Sequence, residues 1–387
     1  MLLIDKPLVS DFVKDSIREG RFDALDLGKL FENGDPVSLS EEEVLNAFKT
    51  DPGRRLHSIS ENAIGWIEEK LHFTHLPEKI SLFKNKYLFR ELTKDLFPKL
   101  FYRSLPLAEL KTTDPANFPF PLIIKPNVGF FSMGVHKLFS QEDWPAVMQK
   151  INRQVKEMKN VYPEAVLNTA NFIVEACIGG EEFAVDAYYD EEGEVVILGM
   201  MKHLFGGEED VSDRVYLTSA GIMKENLHRF DTLLKEIGRR AGLKNFSIHL
   251  ELRVDDHGIA TPIEVNPLRF GAWCTSADLM HYAYGFNPYE YYIKGLKPNW
   301  DEIIAEADGH TYSIVIFENS TPYRGSEIKS FDFNCILKGF GDPIELRRID
   351  FSLYPIFGIL FARTAPEEHE EIKNILFAKM EDYITIK

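Results

Sequence analysis

The order of apolar and polar positions along the chain predicts both helices and strands. Apolar residues recur at helical spacing at Ile80, Phe83, Tyr87 and Leu92, so the pattern predicts one long helix over 77–96. Short apolar or alternating runs bounded by turn residues predict strands. These predicted strands cover 121–125, 172–176, 182–190, 194–203, 246–254 and 259–266. Together the two patterns indicate an α/β fold.

Cap and turn residues predict where several elements begin and end. Ser40 and Glu43 have the spacing of a capping box, in which each side chain binds the other residue's backbone amide. Gly242 is a natural C-cap for the helix before it. Segment 205–219 is polar and contains glycine, so we expect a mobile loop there. An acidic helix is predicted over 366–384.

The net charge limits the partners that this chain can have. Its 387 residues include 44 Lys and Arg against 61 Asp and Glu, a formal charge of −17. Such a surface repels phosphate backbones, and no run of five basic residues occurs, so nucleic acid is disfavoured. A nucleotide can still bind where basic residues cluster beside a metal ion.

The cysteines and the chain ends bear on the compartment. Cys177, Cys274 and Cys335 are far apart and odd in number, which fits a reducing compartment better than a disulfide framework. The first residues lack the basic segment and apolar run of a signal peptide. No apolar stretch approaches the roughly 20 residues of a spanning helix. These features predict a soluble, cytoplasmic protein without a membrane partner.

A predicted hairpin over 246–266 carries a candidate metal site. Its turn at 255–258 brings Glu251 and Glu264 onto adjacent strands, and side chains alternate so that Asn266 shares the face of Glu264. Two carboxylates this close repel one another unless one is protonated or a cation lies between them. With Asn266 they form an oxygen-only site that suits Mg²⁺. Taken alone, the hairpin favours a solvated sheet face by about two to one.

A second candidate feature is the lysine that precedes a glycine-containing loop. Lys125 ends a strand that reads as buried, where an ammonium group needs an anionic partner. It leads directly into 126–134, a loop with two glycines and a serine. Such a loop can cover phosphates, because backbone amides and a lysine supply positive charge. The glycine spacing alone is weak evidence, since most such loops are turns.

Motifs in a fixed order over about 86–294 resemble the ATP-grasp superfamily. Lys86, in FKNKYLFREL, resembles the lysine that opens the nucleotide-binding subdomain. Lys125, in IIKPNVGFFSMGV, resembles the second ATP lysine, and Ser132 and Gly134 lie in the loop that resembles the phosphate cover. Each motif alone has an ordinary structural explanation, such as a solvated lysine. The ordered set is poorly explained by chance.

The same resemblance implies where the adenosine would bind. Glu175, in VEACIGGEEFAVD, resembles the hinge glutamate beside the adenine. Ile178 would pack on the base, and Glu182 resembles the acid that binds the ribose hydroxyls.

The last motif resembles the metal-binding strands of the family. HLELRV and PIEVNPLRFG imply that Glu251, Glu264 and Asn266 are magnesium ligands. Arg269 is the nearest match to the arginine that holds the acyl phosphate, one position later than in the family pattern.

The resemblance also implies a domain organisation. It predicts an ATP-grasp fold with a short Rossmann-like N-terminal domain and a two-subdomain nucleotide clamp. We expect the N-terminal domain over 1–76, the ATP-grasp domain over 77–310 with a lid over 121–201, and a C-terminal α/β extension over 311–387.

The activity implied by the resemblance is that of an ATP-dependent carboxylate–amine ligase. A small-molecule carboxylate becomes an acyl phosphate, ADP leaves, and an amine is coupled. Lys125 and Arg269 would be catalytic, and Arg214 and Tyr216 are candidates for substrate contact. ATP and Mg²⁺ are the implied cofactors, with Mn²⁺ as an alternative to Mg²⁺.

Two other functions stay open, as does the oligomeric state. One alternative is an ATP-grasp phosphotransferase that acts on a hydroxyl, and the other is a non-catalytic nucleotide-binding protein. Intact metal ligands disfavour the second. Phe- and Tyr-rich segments leave a homodimer open.

Overall fold

The structure is a computed structural model that describes residues 1–31, 39–129, 134–158, 168–207, 210 and 212–387. The α-helices are α1 Asp11–Arg18, α2 Glu41–Thr50, α3 Ile64–Lys70, α4 Leu76–Lys84, α5 Lys86–Thr93, α6 Leu107–Leu110, α7 Trp144–Met158, α8 Ala220–Ala241, α9 Thr275–Tyr284, α10 Pro288–Lys294, α11 Trp300–Glu306, α12 Phe333–Leu337 and α13 Glu370–Leu376. No helix in this described part of the chain is long and apolar enough to cross a membrane.

Strands and helices are both present, as the sequence pattern predicts. They are β1 Leu2–Ile4, β2 Ala24–Asp26, β3 His57–Ser58, β4 Tyr102–Pro106, β5 Leu122–Val128, β6 His136–Leu138, β7 Asn168–Ala176, β8 Glu181–Tyr189, β9 Val195–Leu204, β10 Val215–Thr218, β11 Phe246–Val254, β12 Ala260–Pro267, β13 Thr311–Glu318, β14 Ile328–Phe331, β15 Pro343–Arg348, β16 Ile356–Thr364 and β17 Ile384–Ile386.

Across the described ranges these strands form four sheets. The N-terminal sheet has the order β2-β1-β3 and is parallel. The lid sheet has the antiparallel order β4-β7-β5-β6. The main sheet has the order β12-β11-β8-β9-β10-β13-β16-β15, and β14 pairs with β17. The main sheet joins the region of the predicted metal hairpin to the C-terminal extension.

The N-terminal sheet and its helices begin as the cap residues predict. Ser10 accepts a hydrogen bond from the amide of Val13 at 3.3 Å and starts α1. The capping box of Ser40 and Glu43 is present at the start of α2. Because the strands of this sheet are parallel and joined by helices, it has the short α/β form expected for a Rossmann-like unit.

The lid sheet has one apolar face and one face toward a cleft. Leu122 and Ile124 are fully buried against α7, whereas the side chains between and after them point the other way. The sheet runs from Tyr102 to Ala176, while β8 and β9 belong to the main sheet. It therefore begins and ends earlier than the 121–201 range predicted for the lid, and the domain boundaries stay a prediction.

The predicted long helix over 77–96 is wrong, because α4 and α5 are separate. Asn85 has an extended backbone, and its side chain accepts hydrogen bonds from the amides of Tyr87 at 3.1 Å and Leu88 at 3.3 Å. An asparagine that caps a new helix interrupts the old one. The break places Lys84 at the end of one helix and Lys86 at the start of the next.

Two further predictions of local structure are wrong in part. Segment 205–219 contains β10, which joins β9 to β13 and so completes the main sheet. The predicted helix over 366–384 is limited to α13, and the chain then turns into β17. In both places tertiary pairing decides the structure, because strand partners distant in sequence satisfy the backbone groups.

Candidate functional site

A large cavity lies between the lid sheet and the main sheet. Its volume is about 840 Å³, enough for a nucleotide. The predicted site residues that line it are Lys86, Lys125, Glu175, Ile178, Glu182, Glu251 and Glu264. Residues distant in sequence thus meet in one cleft. Most of them lie on strands of the two sheets, whereas Lys86 lies on α5 and Ile178 between β7 and β8.

The hairpin of β11 and β12 places the predicted metal ligands side by side. Glu251 and Glu264 lie on adjacent strands, as predicted, and are direct cross-strand partners. Asn266 pairs with His249 two residues farther along the hairpin, and its amide nitrogen donates to Oε1 of Glu251 at 3.3 Å. The two carboxyl groups and the amide therefore share one face.

The two carboxyl groups differ sharply in their electrostatic surroundings. Burial and repulsion by Glu264 raise the pKa of Glu251 well above its ordinary value. Burial also opposes ionisation of Glu264, but the ammonium groups of Lys86 and Lys125 outweigh it and hold its pKa far below its ordinary value. Lys86 Nζ lies 2.8 Å from Glu264 Oε2. The ionised form of Glu251 is therefore disfavoured unless a cation lies beside it, whereas that of Glu264 is stabilised by its lysine partner.

A divalent cation would supply the positive charge that Glu251 lacks in this site. Glu251 keeps 32% of its side chain exposed toward the cavity, so its oxygens are accessible. The described ranges contain no group of three or more His, Cys, Asp or Glu side chains that could hold a metal ion. The candidate set is therefore two carboxylates with the amide oxygen of Asn266, which are oxygen ligands of the kind that Mg²⁺ takes alongside phosphate and water.

Lys125 projects from β5 into the cavity and is ion-paired there. Its Nζ lies 2.7 Å from Oε1 of Glu175, and Arg90 Nε lies 2.7 Å from the other oxygen. Burial opposes the charge on Glu175, but Arg90 and Lys125 lower the pKa of this carboxyl to about 2. Glu175 is thus an ionised, buried carboxylate with two cationic partners, which is how a buried lysine and glutamate are tolerated.

Glu182 belongs to a row of side chains across the main sheet. It accepts hydrogen bonds from His203 Nδ1 and from Arg253 Nε, both at 2.9 Å. His203 stacks on Tyr216 with ring centroids 4.1 Å apart. Burial opposes the charge on Glu182, and His203 and Arg253 outweigh it and lower the pKa of its carboxyl. The row presents a carboxylate that is held in place at the cavity wall.

Three further residues are predicted to contact the nucleotide, and the structure describes two of them, Ile178 and Gly134. Ile178 lines the cavity next to Glu182, and its carbonyl accepts from Arg253 Nη1 at 2.9 Å. Gly134 has a φ of +73°, which favours glycine, and an added Cβ would lie 3.2 Å from Pro126. Ser132 lies outside the described residues.

Arg269 is turned away from the cavity and toward the N-terminal unit. Its Nε and Nη2 lie 2.9 Å and 2.8 Å from Glu61 Oε1, and Lys84 Nζ lies 2.5 Å from Glu61 Oε2. The extra residue before it, Leu268, takes a φ of +57° and is buried, which accommodates the one-position offset. Arg269 is therefore near the metal pair in sequence, with its guanidinium engaged by a carboxylate.

The two residues predicted to contact substrate lie outside the cavity lining. Arg214 is buried, and its Nη1 donates to the carbonyls of Leu376 at 3.1 Å and Ala378 at 2.7 Å, at the C-terminal end of α13. Tyr216 lies in β10, and its hydroxyl donates to Asp213 at 2.7 Å. Asp213 does line the cavity, so these residues contribute indirectly by fixing the segment that carries it.

Several site residues were not identified from the sequence. Arg90 follows Lys86 by one helical turn, so the shared face of α5 was a usable signal. Lys84 and Glu61 gave no local signal, because their contacts with Arg269 join segments far apart in the chain. Strand alternation places Arg253 on the same face of β11 as Glu251, but it does not indicate a contact with Glu182.

Cys274 follows the Arg269 motif and could suggest thiol chemistry, which its surroundings argue against. It is 1% exposed, and burial together with Asp278 raises the pKa of its thiol to about 11. We predict that Cys274 of the folded protein reacts with iodoacetamide at least about 100-fold more slowly than the exposed Cys335. Peptide mass spectrometry after timed labelling measures both rates. Equal rates would show an accessible thiolate and contradict this prediction.

Residues 118–277 match the family model described as the ATP-grasp domain. No curated protein matches the chain in sequence. The matched range includes Lys125, Glu175, Glu182 and the hairpin of β11 and β12.

Solved structures share the fold over nearly the whole chain. An L-amino acid ligase from Bacillus licheniformis is 17% identical with a TM-score of 0.69, covering 100% of this chain and 98% of that one. An N5-carboxyaminoimidazole synthase from Aspergillus clavatus, in complex with ADP, is 14% identical with a TM-score of 0.62, covering 98% and 97%. The biotin carboxylase domain of a Hydrogenobacter thermophilus 2-oxoglutarate carboxylase is 14% identical with a TM-score of 0.62, covering 100% and 90%. At these identities the likeness concerns the fold.

Proposed function

Because residues 118–277 form an ATP-grasp domain, we propose that this protein is an ATP-dependent ligase that activates a carboxylate as an acyl phosphate and couples it to an amine. The products from ATP are ADP and phosphate. Two of the structural neighbours are an L-amino acid ligase and an N5-carboxyaminoimidazole synthase, which supports ligation of small molecules.

The position of Lys86 is the observation that supports the proposal most strongly. Its ammonium group contacts the carbonyl of Gly129 at 3.3 Å, where the phosphate loop begins, and Glu264 at 2.8 Å. Gly129, the lysine and the paired carboxylates therefore all line the same cavity. A terminal phosphate bound there would lie among groups that can hold its charge.

The proposed reaction needs no enzyme nucleophile. A carboxylate oxygen of the substrate attacks the γ-phosphorus, an O–P bond forms, and the bond to the β-phosphate oxygen breaks. The amine then attacks the acyl carbon, the C–O bond to phosphate breaks, and the nitrogen loses a proton. Lys86 and Lys125 would bind phosphates, and Arg269 would bind the carboxylate after release from Glu61. Catalysis is then positioning and charge stabilisation.

The metal ion has a specific place in this proposal. Glu251, Glu264 and Asn266 would hold Mg²⁺, or Mn²⁺ in its place. When bound, the ion would offset the negative charge of the phosphates. Glu175, Ile178 and Glu182 would contact adenosine at the other part of the cavity.

The identity of the nucleotide product tests the proposal. The protein is incubated with ATP, Mg²⁺ and panels of amino acids and other small carboxylates and amines, and nucleotides are separated by chromatography. We expect ADP and phosphate with the right pair, and a hydroxamate when hydroxylamine replaces the amine. The Glu264→Gln variant serves as the control for contaminating ATPase.

Each alternative function gives a different result in this assay. AMP and pyrophosphate would contradict acyl-phosphate chemistry. ADP with a stable phosphorylated hydroxyl, and no hydroxamate, would favour a phosphotransferase. Nucleotide binding without any turnover across the panel would favour a non-catalytic binding protein.

A further inference from the structure

The guanidinium of Arg90 links three elements of the candidate site. Arg90 lies on α5 and is 2% exposed. Its Nε donates to Glu175 Oε2 at 2.7 Å, Nη1 to the carbonyl of Pro262 at 2.7 Å and Nη2 to that of Ile263 at 3.0 Å. One side chain thus connects the end of the lid strand β7 with the strand β12 that carries Glu264.

The contacts with β12 fall on a β-bulge. Glu251 pairs with Glu264, whereas the next residue, Leu252, pairs with Pro262, so Ile263 is an extra residue between them. Arg90 donates hydrogen bonds to both carbonyls at this bulge. Pro262 has no amide hydrogen and so cannot donate a hydrogen bond to the neighbouring strand. Ile263 and Glu264 both line the cavity. Arg90 therefore fixes the backbone immediately before the proposed metal ligand.

The contact between Arg90 and Glu175 is a buried ion pair. Glu175 is 2% exposed and shares its two oxygens between Arg90 and Lys125. If Lys125 turns toward a phosphate, Arg90 stays as the counterion of Glu175. Without Arg90, Lys125 would be the single cation in contact with a buried carboxylate, and leaving that carboxylate unpaired is strongly unfavourable.

We propose that Arg90 is a positioning residue of the nucleotide site, which neutralises Glu175 so that Lys125 is free to bind phosphate and which holds the β12 bulge beside Glu264. The inference rests on the proposed function of the cavity as an ATP site. It assigns to Arg90 a larger effect on the binding of the phosphates than on that of the adenosine.

The comparison of two ligands separates this role from a merely structural one. Calorimetry measures the affinity for ADP with Mg²⁺ and for adenosine in the wild type and in Arg90→Met and Arg90→Lys. For Arg90→Met we expect at least about a tenfold loss for ADP and less than about a threefold loss for adenosine. Arg90→Lys keeps the charge but loses the forked contact with the carbonyls, so its loss for ADP should be intermediate.

Two further measurements complete the test. Hydrogen exchange of the β12 amides in Arg90→Lys should be faster than in the wild type, which reports the hold on the bulge even if Arg90→Met fails to fold. Arg239→Lys is the matched control, since Arg239 is 67% exposed on α8. That control should change neither affinity nor exchange.

The outcomes distinguish this inference from the proposed function. Equal losses for ADP and adenosine, or ADP binding as in the wild type with unchanged exchange in β12, would overturn the role of Arg90. A wild type that binds neither ligand would instead overturn the proposed function of the cavity, and the inference with it.

Discussion

Glu264→Gln is expected to lower kcat by at least about 10³-fold while the protein stays folded. The substitution keeps the shape of the side chain but removes the charge that pairs with Lys86 at 2.8 Å and that would bind a metal ion together with Glu251. Preorganised charge at the transferred phosphate contributes roughly 10² to 10³ per group, and here a metal ligand and a lysine partner are affected together.

The measurement combines turnover with a metal titration. ADP release at saturating ATP gives kcat, and the electron paramagnetic resonance of Mn²⁺ with ADP gives the affinity for the ion, which should fall at least about tenfold. Glu225→Gln, an exposed glutamate on α8, is the matched control. Near-normal turnover with an unchanged requirement for Mg²⁺ would exclude Glu264 as a metal ligand.

The fold was predictable mainly where local pattern and tertiary structure agree. The ATP-grasp fold expected from the ordered motifs is confirmed. Strand alternation and the turn predicted that Glu251 and Glu264 lie on adjacent strands. Their direct pairing depends on the bulge, because without its extra residue Glu251 would face Ile263. The bulge at Ile263 did not follow, since the side chain that binds its carbonyl, Arg90, lies 173 residues away in sequence.

The predicted helix over 77–96 shows how a capping residue can end a helix that the apolar spacing predicts to continue. Ile80 and Phe83 in α4 and Phe89 in α5 all reach the core, so the apolar spacing continues across two helices. Asn85 was the sign of a break, because asparagine is a strong N-cap and accepts hydrogen bonds from the amides of a new helix. The break matters for function, since it brings Lys84 and Lys86 toward different carboxylates.

The charge network around Arg269 could not be predicted from the sequence. Glu61 belongs to the N-terminal unit, and its contact with Arg269 spans 208 residues. Burial opposes the charge on Glu61, but Lys84 and Arg269 lower the pKa of its carboxyl to about 2. No periodicity or motif encodes which distant carboxylate meets a given arginine, because that choice depends on how whole units pack.

Lys125→Met is expected to lower kcat/KM for ATP by about 10² to 10³ and to leave the fold intact. Lys125 is 5% exposed, projects from β5 into the cavity, and is the proposed phosphate ligand. Its loss leaves Glu175 paired with Arg90 at 2.7 Å, so the buried carboxylate keeps a cationic partner. That remaining ion pair is the reason to expect a folded variant.

The same variant should discriminate between parts of the nucleotide. Adenosine contacts are proposed for Glu175, Ile178 and Glu182, none of which is altered, so the affinity for adenosine should change by less than about threefold. The affinity for ADP should fall at least about tenfold, because a phosphate loses its ammonium partner. Lys150→Met, an exposed lysine on α7 in the same lid, is the matched control. Unchanged affinity for ADP in Lys125→Met, measured by calorimetry, would mean that the phosphates bind elsewhere and that Lys125 serves to keep Glu175 ionised.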